Sequence, residues 1–230
     1  MRALVLLSGG LDSTTALAMA IDKYGKDNVV ALSISYGQKH IKEIEASDNV
    51  AKYYNVQHLY LDLSKIFENS NCSLLGKNNM DIPEGDYKSQ IEKNGNVIST
   101  YVPFRNGLFL SSAAAIAISK DCDIIYYGAH SDDSAYNAYP DCSKEFNDSI
   151  NNAIYVGSGK KVRVEGPFIS LHKKDIVKIG LDLKVPYNLT WSCYEGNEKA
   201  CGKCATCIDR IKAFKENGVN DPIEYEVSNE

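Results

Sequence analysis

Short apolar runs alternate with longer amphipathic stretches along most of this chain. Ala3–Leu7 is a continuous apolar run of buried-strand type, Val29–Ser35 a second strand, and His58–Leu63 a third. Between Asp123 and Gly128 the run Ile124-Ile125-Tyr126-Tyr127 has no polar alternation, which predicts a central strand of a parallel sheet. The intervening stretches carry helical spacing. Ile41–Tyr53 sets Ile41, Ile44, Val50 and Ala51 on one face, and Arg105–Lys120 is long and rich in Ala, Ser and Leu. Lys144–Val156 follows, then a short strand at Val162–Val164, then Lys173–Leu183, which stops before Pro186. This βαβα order predicts an α/β fold, a doubly wound, mostly parallel sheet that binds ligands at the carboxyl ends of its strands. Residues 69–99 break the rhythm with Asn at 69, 71, 78, 79, 94 and 96, and read as an insertion or mobile loop. Residues 1–188 read as one domain, with 189–230 as a smaller C-terminal element packed on it.

The first strand runs directly into Ser8-Gly9-Gly10-Leu11-Asp12-Ser13, followed by Thr14-Thr15 and a helix-forming stretch. Paired glycines let backbone approach a ligand closely, and the free N–H groups of the next helix face the same spot. The positive end of the helix dipole completes a cradle for phosphate oxygens. The Gly-Lys-Ser/Thr ending of a Walker loop is missing, which argues against γ-phosphoryl transfer. The hexapeptide resembles the PP-loop of the ATP pyrophosphatases. That resemblance implies cleavage of ATP between its α and β phosphates, with Ser8, Gly9, Gly10, Leu11, Asp12, Ser13, Thr14 and Thr15 around the nucleotide.

Composition narrows the classes. The chain has 230 residues, is 44% hydrophobic and 24% charged, and carries a net charge of −5. That balance gives no broad footprint for nucleic acid. The N-terminal apolar run is too short for a signal sequence or a membrane span, so a cytoplasmic location is expected. Seven cysteines without a signal sequence fit thiols and metal ligands better than disulfides. Cys193, Cys201, Cys204 and Cys207 stand in a Cys-x7-Cys-x2-Cys-x2-Cys pattern, with Gly202 able to make a knuckle turn. A closed, structural tetrathiolate Zn²⁺ site is the leading reading. An iron–sulfur cluster is its rival, although no Cys-Pro follows Cys207. Lys199, Lys203 and Arg210 would offset the thiolate charge. Cys72, Cys122 and Cys142 have no partner spacing.

Further stretches carry a narrower resemblance. Tyr36-Gly37-Gln38-Lys39-His40 is followed one turn later by Glu43. Val102-Pro103-Phe104-Arg105-Asn106 precedes Phe109-Leu110-Ser111. Gly128-Ala129-His130-Ser131-Asp132-Asp133 is followed by Tyr139-Pro140-Asp141-Cys142 with Glu145-Phe146 behind it. Leu189-Thr190-Trp191-Ser192-Cys193-Tyr194-Glu195-Gly196 leads into the cysteine cluster. Together these resemble the 7-cyano-7-deazaguanine synthase family, from about residue 3 to Phe214 and outside 69–99. Asn137-Ala138 stands where that family usually has Ser-Gly, and Ser143 where Arg is common.

The resemblance implies ATP with Mg²⁺, ammonia and 7-carboxy-7-deazaguanine as reactants. Asp12 would coordinate Mg²⁺ or cap its helix. Lys173 would neutralise phosphate charge or lie solvated on its helix. Arg105, with Asn106, would fork the substrate carboxylate. Asp132, Asp141 and Glu145 are candidates for the guanine edge. His130 would carry protons or be a bonded structural histidine, and His40 with Glu43 would be a site pair or a surface pair. The length leaves no room for a glutaminase domain, so free ammonia or a partner would supply nitrogen. Two other readings share these motifs: a PP-loop tRNA-modifying enzyme, and a non-catalytic zinc-stapled nucleotide-binding module. A symmetric homodimer is a further expectation.

Overall fold

The computed structural model describes residues 1–38, 42–70, 72–75, 83, 85, 99–134, 138–195 and 198–227, without the Ser134 side chain. Five strands form one all-parallel sheet: β1 (Ala3–Leu6), β2 (Val29–Ser35), β3 (Gln57–Asp62), β4 (Ile124–Tyr126) and β5 (Arg163–Glu165). Their spatial order is β3-β2-β1-β4-β5. The helices are α1 (Leu11–Tyr24), α2 (Lys42–Tyr54), α3 (Arg105–Ser119), the single turn α4 (Ser131–Ser134), α5 (Lys144–Gly157), α6 (Lys173–Asp182) and α7 (Ala205–Glu216).

β1 lies in the middle of the sheet, and its alternation shows why the fold is wound on both faces. Ala3, Val5 and Leu7 point into one core with Leu17, Ile176, Val177 and Phe214. Leu4 points the other way, into a core with Val30, Leu32, Leu110 and Ile125. Each large aliphatic or aromatic side chain buried this way contributes about 1.5–3 kcal/mol. The chain leaves β1 toward β2 and β3, then returns to build β4 and β5 on its other side. The switch point falls between the carboxyl ends of β1 and β4, where such sheets open a crevice.

The C-terminal element shares the first core. Ala213 and Phe214 of α7 pack there beside Ile176 and Val177 of α6. Arg210, fully buried, bolts it down: its guanidinium donates to both carboxylate oxygens of Asp221 (2.6 and 3.0 Å), to Thr190 Oγ1 (2.8 Å) and to the Tyr187 carbonyl (3.1 Å). Ala200 N–H donates to the Glu224 carbonyl (3.0 Å), Glu226 N–H donates to the Ala200 carbonyl (2.8 Å), and Ile223 and Tyr225 cover the cysteines.

Most of 69–99 lies outside the described residues. At its start Cys72, Leu74 and Leu75 are buried in a small cluster with Tyr36, Phe67 and Val102. Ser143 has a local reason to be there: its hydroxyl accepts from Phe146 N–H (3.1 Å) and caps α5. Asn137 lies outside the described residues. Among the described residues no helix is long and apolar enough to cross a membrane.

Candidate active site and cysteine centre

The loop after β1 turns because Gly9 takes φ +81°, and a Cβ there would meet the Glu43 carbonyl oxygen and the Ser47 amide nitrogen at 2.5 Å. The loop is thereby pressed against the start of α2. Gly10 is the N-cap of α1 and offers no side-chain cap, and the first intrahelical bond runs from Thr14 N–H to the Gly10 carbonyl (3.1 Å). The amides of Leu11, Asp12 and Ser13 precede that bond and supply the donors an anion requires. Ser13 Oγ accepts from Ser8 N–H (3.1 Å) and Ser8 Oγ accepts from Gly10 N–H (3.3 Å), so the two hydroxyls shape the loop. Thr14 Oγ1 is buried with no partner. Thr15 departs from the expected nucleotide set: its hydroxyl donates to the Leu11 carbonyl and bonds Tyr187 Oη, both at 2.8 Å, deep in the protein. The Leu11 side chain likewise faces the core, leaving only its amide for a ligand.

Gly128, at the end of β4, lets that strand come within 3.0–3.2 Å of Asp12 and Ser13 as measured from a Cβ placed on it. Behind this contact Lys173 Nζ donates to Asp12 Oδ2 (2.6 Å) and to His130 Nε2 (3.0 Å). Burial disfavours the Lys173 ammonium, but Asp12 and Asp133 outweigh it and hold its pKa above the usual lysine value. With Nε2 accepting, the proton of a neutral His130 ring sits on Nδ1, 3.9 Å from Asp132 Oδ2. His130 is 1% exposed and stands behind Lys173, and its Nδ1 is buried without a hydrogen-bond partner. Asp12 caps nothing, and its Oδ1 is buried without a partner.

A cavity of about 230 Å³ opens in front of these groups. Ser8, Gly10, Asp12, Ser13 and Lys173 line one part, and Tyr36, Glu43, Arg105 and Phe109 another. Arg105 lies over the rings of Tyr36 (5.1 Å) and Phe109 (5.9 Å) and donates to Tyr36 Oη (3.3 Å). Burial pushes the Glu43 carboxyl up to about 7, with Arg105 pulling the other way. Asn106 lines the cavity but is tied to the loop after α4, donating through its amides to Asp141 Oδ2 (2.8 Å) and the Asp141 carbonyl (3.1 Å).

The three acids expected at a guanine edge are placed elsewhere. Asp132 accepts from His172 Nδ1 (2.7 Å) and Lys173 N–H (2.8 Å) at the start of α6. Asp141 is buried and accepts the Asn106 amide at the start of α3, the demand of an uncapped helix end. Glu145 is exposed on α5 and does not line the cavity. Sequence reasoning missed Tyr36, Asp133, Trp191 and Asp209 as cavity residues. Asp209 was hidden beside the cysteine motif, and Glu43 was signalled only by its position one turn after Tyr36–His40. His40 lies outside the described residues.

The sulfur atoms of Cys193, Cys201, Cys204 and Cys207 all lie within 4.8 Å of one another and are buried. Tetrahedral Zn–S bonds of about 2.3 Å put sulfurs roughly 3.8 Å apart, and Cys201 Sγ and Cys207 Sγ stand 3.9 Å apart. Backbone N–H groups of Glu195 and Cys201 aim at Cys193 Sγ (3.4 and 3.3 Å). The Cys193 and Cys207 thiols hold the Cys204 pKa low, so a thiolate is already favoured there. These donors fit a tetrathiolate metal. Two of the cations expected to offset it are otherwise engaged: Lys199 pairs with Glu224 (3.1 Å) and Arg210 with Asp221. Cys193 connects to the loop after β1 through two residues, since Trp191 N–H donates to the Gly9 carbonyl (2.9 Å).

Comparison with known proteins decides the family. Residues 2–218 match the family described as Queuosine biosynthesis protein QueC. The chain belongs to the QueC family. A relative from Caldicellulosiruptor saccharolyticus, named 7-cyano-7-deazaguanine synthase, is 45% identical over 99% of this chain and 96% of its own length. Another of the same name from Picrophilus torridus is 46% identical over 98% of this chain and 92% of its own. Among solved structures, NMN synthetase from Francisella tularensis superposes with a TM-score of 0.51 at 17% identity, covering 95% of this chain and 73% of that one. That likeness is one of fold.

Proposed function

We propose that this chain converts 7-carboxy-7-deazaguanine and ammonia into 7-cyano-7-deazaguanine, with two ATP cleaved to AMP and pyrophosphate. The observation that carries the reading is one cavity lined both by the uncapped start of α1 with Lys173 and by Arg105. In the first half, the α1 amides and the Ser8 and Ser13 hydroxyls hold the β and γ phosphates while a substrate carboxylate oxygen attacks the α phosphorus. Pyrophosphate leaves, and Lys173 meets the charge that builds on it. Ammonia then adds to the acyl carbon and expels AMP, leaving the amide. In the second half, the amide oxygen attacks a second ATP in the same cradle. Loss of that oxygen as AMP, with the remaining N–H protons, gives the nitrile. Both carboxylate oxygens thus depart as AMP rather than as hydroxide.

Arg105 orients the carboxylate through its planar fork, and the Tyr36 and Phe109 rings hold that fork in place. Asp12, whose Oδ1 is buried and unpartnered, fits a Mg²⁺ ligand beside the phosphates, where the ion would neutralise their charge. The four cysteines would hold one Zn²⁺ in a closed, structural site with no open position. The test is incubation with ATP, ammonium and 7-carboxy-7-deazaguanine. Mass spectrometry is expected to find nitrile, with amide as intermediate and AMP as nucleotide product. ADP with orthophosphate, or intact ATP, would overturn the reading. Metal analysis of the purified protein is expected to give one zinc per chain.

A further inference from the structure

Four carboxyl groups line the described walls of the cavity: Asp12, Glu43, Asp133 and Asp209. Three of them surround Lys173: Asp12 is bonded to its Nζ, and Asp133 and Asp209 lie within its field. These three are committed to the phosphate part of the site. Glu43 stands apart, with Arg105 as the charge facing it and Tyr36 as the other titratable neighbour among the described residues. No described residue engages its carboxyl within hydrogen-bond or ion-pair distance. A carboxyl sunk in a wall without donors is costly until a ligand supplies them. The ligand it fits presents two adjacent N–H donors in one plane.

Resting on the function proposed above, the geometry points to Glu43 as the residue that recognises the N1–H and exocyclic N2–H edge of the deazapurine. A carboxylate accepts two parallel N–H bonds, and Tyr36 and Phe109 line the same part of the cavity as Glu43. Arg105 then takes the substituent that reacts. The position of Glu43 is fixed relative to the phosphate cradle by backbone. It is the second residue of α2, and Gly9 packs against its own carbonyl. Recognition of the base edge is therefore registered against the loop that holds the departing diphosphate.

The test is a comparison of 7-carboxy-7-deazaguanine with its analogue lacking the exocyclic amine, in the native enzyme and in Glu43→Gln. The native enzyme is expected to show a KM for the analogue raised roughly 10-fold. Glu43→Gln is expected to raise the KM of the natural acid roughly 10- to 100-fold, to lose the preference for the amine, and to keep the KM of ATP within about twofold. Glu43→Asp, which retains the carboxylate, is expected to keep the preference at a raised KM, and it carries the test if the glutamine variant does not fold. A native enzyme indifferent to the amine, a glutamine variant with unchanged KM and preference, or a parallel rise in the KM of ATP would each overturn the assignment. Failure of the native enzyme to form AMP from either acid overturns the proposed function instead.

Discussion

The two parts of the cavity are built by opposite means. The part proposed to hold phosphate is nearly one continuous stretch, Ser8 to Ser13, and its donors are backbone amides freed by an uncapped helix start. Lys173 is its main contribution from far along the chain. The part proposed to hold the base has no local sequence at all: Tyr36 follows β2, Glu43 lies in the first turn of α2, and Arg105 and Phe109 belong to α3. Backbone recognition suits a reactant common to many enzymes, whereas side chains gathered from several elements suit one particular heterocycle. The difference also predicts that the two parts fail separately.

Asp12→Asn gives the largest expected effect and breaks only the phosphate part. AMP formation is expected to fall roughly 100- to 1,000-fold, with the affinity for the acid, measured by calorimetry without ATP, unchanged. Asp221→Asn breaks the brace behind both parts. Arg210 and Asp221 side chains are 1% and 4% exposed, so the guanidinium is left buried without its counter-ion. Denaturant melts are expected to lose about 3–5 kcal/mol. The pH dependence sharpens the comparison from the base part. Burial keeps Glu43 neutral below about 7, and on the proposed reading its charged form accepts the base donors. Affinity for the acid is therefore present above about 7 and lost as pH falls through it, by up to roughly tenfold per unit. The KM of ATP is expected not to follow this profile. Glu145→Ala is the smallest test: with its side chain on the exposed face of α5, both Michaelis constants are expected to stay within about twofold.

What the sequence made legible follows the same division. β2 runs over the residues its apolar run predicts, and the phosphate loop could be read because strand, glycines and helix start are contiguous. The cysteines converge as their spacing implies. The acids could not be sorted, because partners distant in the chain decide their fate. Asp132 is taken by the α6 start and Asp141 by the α3 start, while Glu43, equally ordinary in the sequence, is left facing the cavity. Thr15 follows the same rule, since its hydroxyl is bonded to that of Tyr187.

The most direct test of the central claim follows the oxygen atoms. With both carboxylate oxygens of 7-carboxy-7-deazaguanine labelled as oxygen-18, one turnover to nitrile is expected to place one label in each of two AMP molecules. Label appearing in water or in phosphate, with unlabelled AMP, would contradict it.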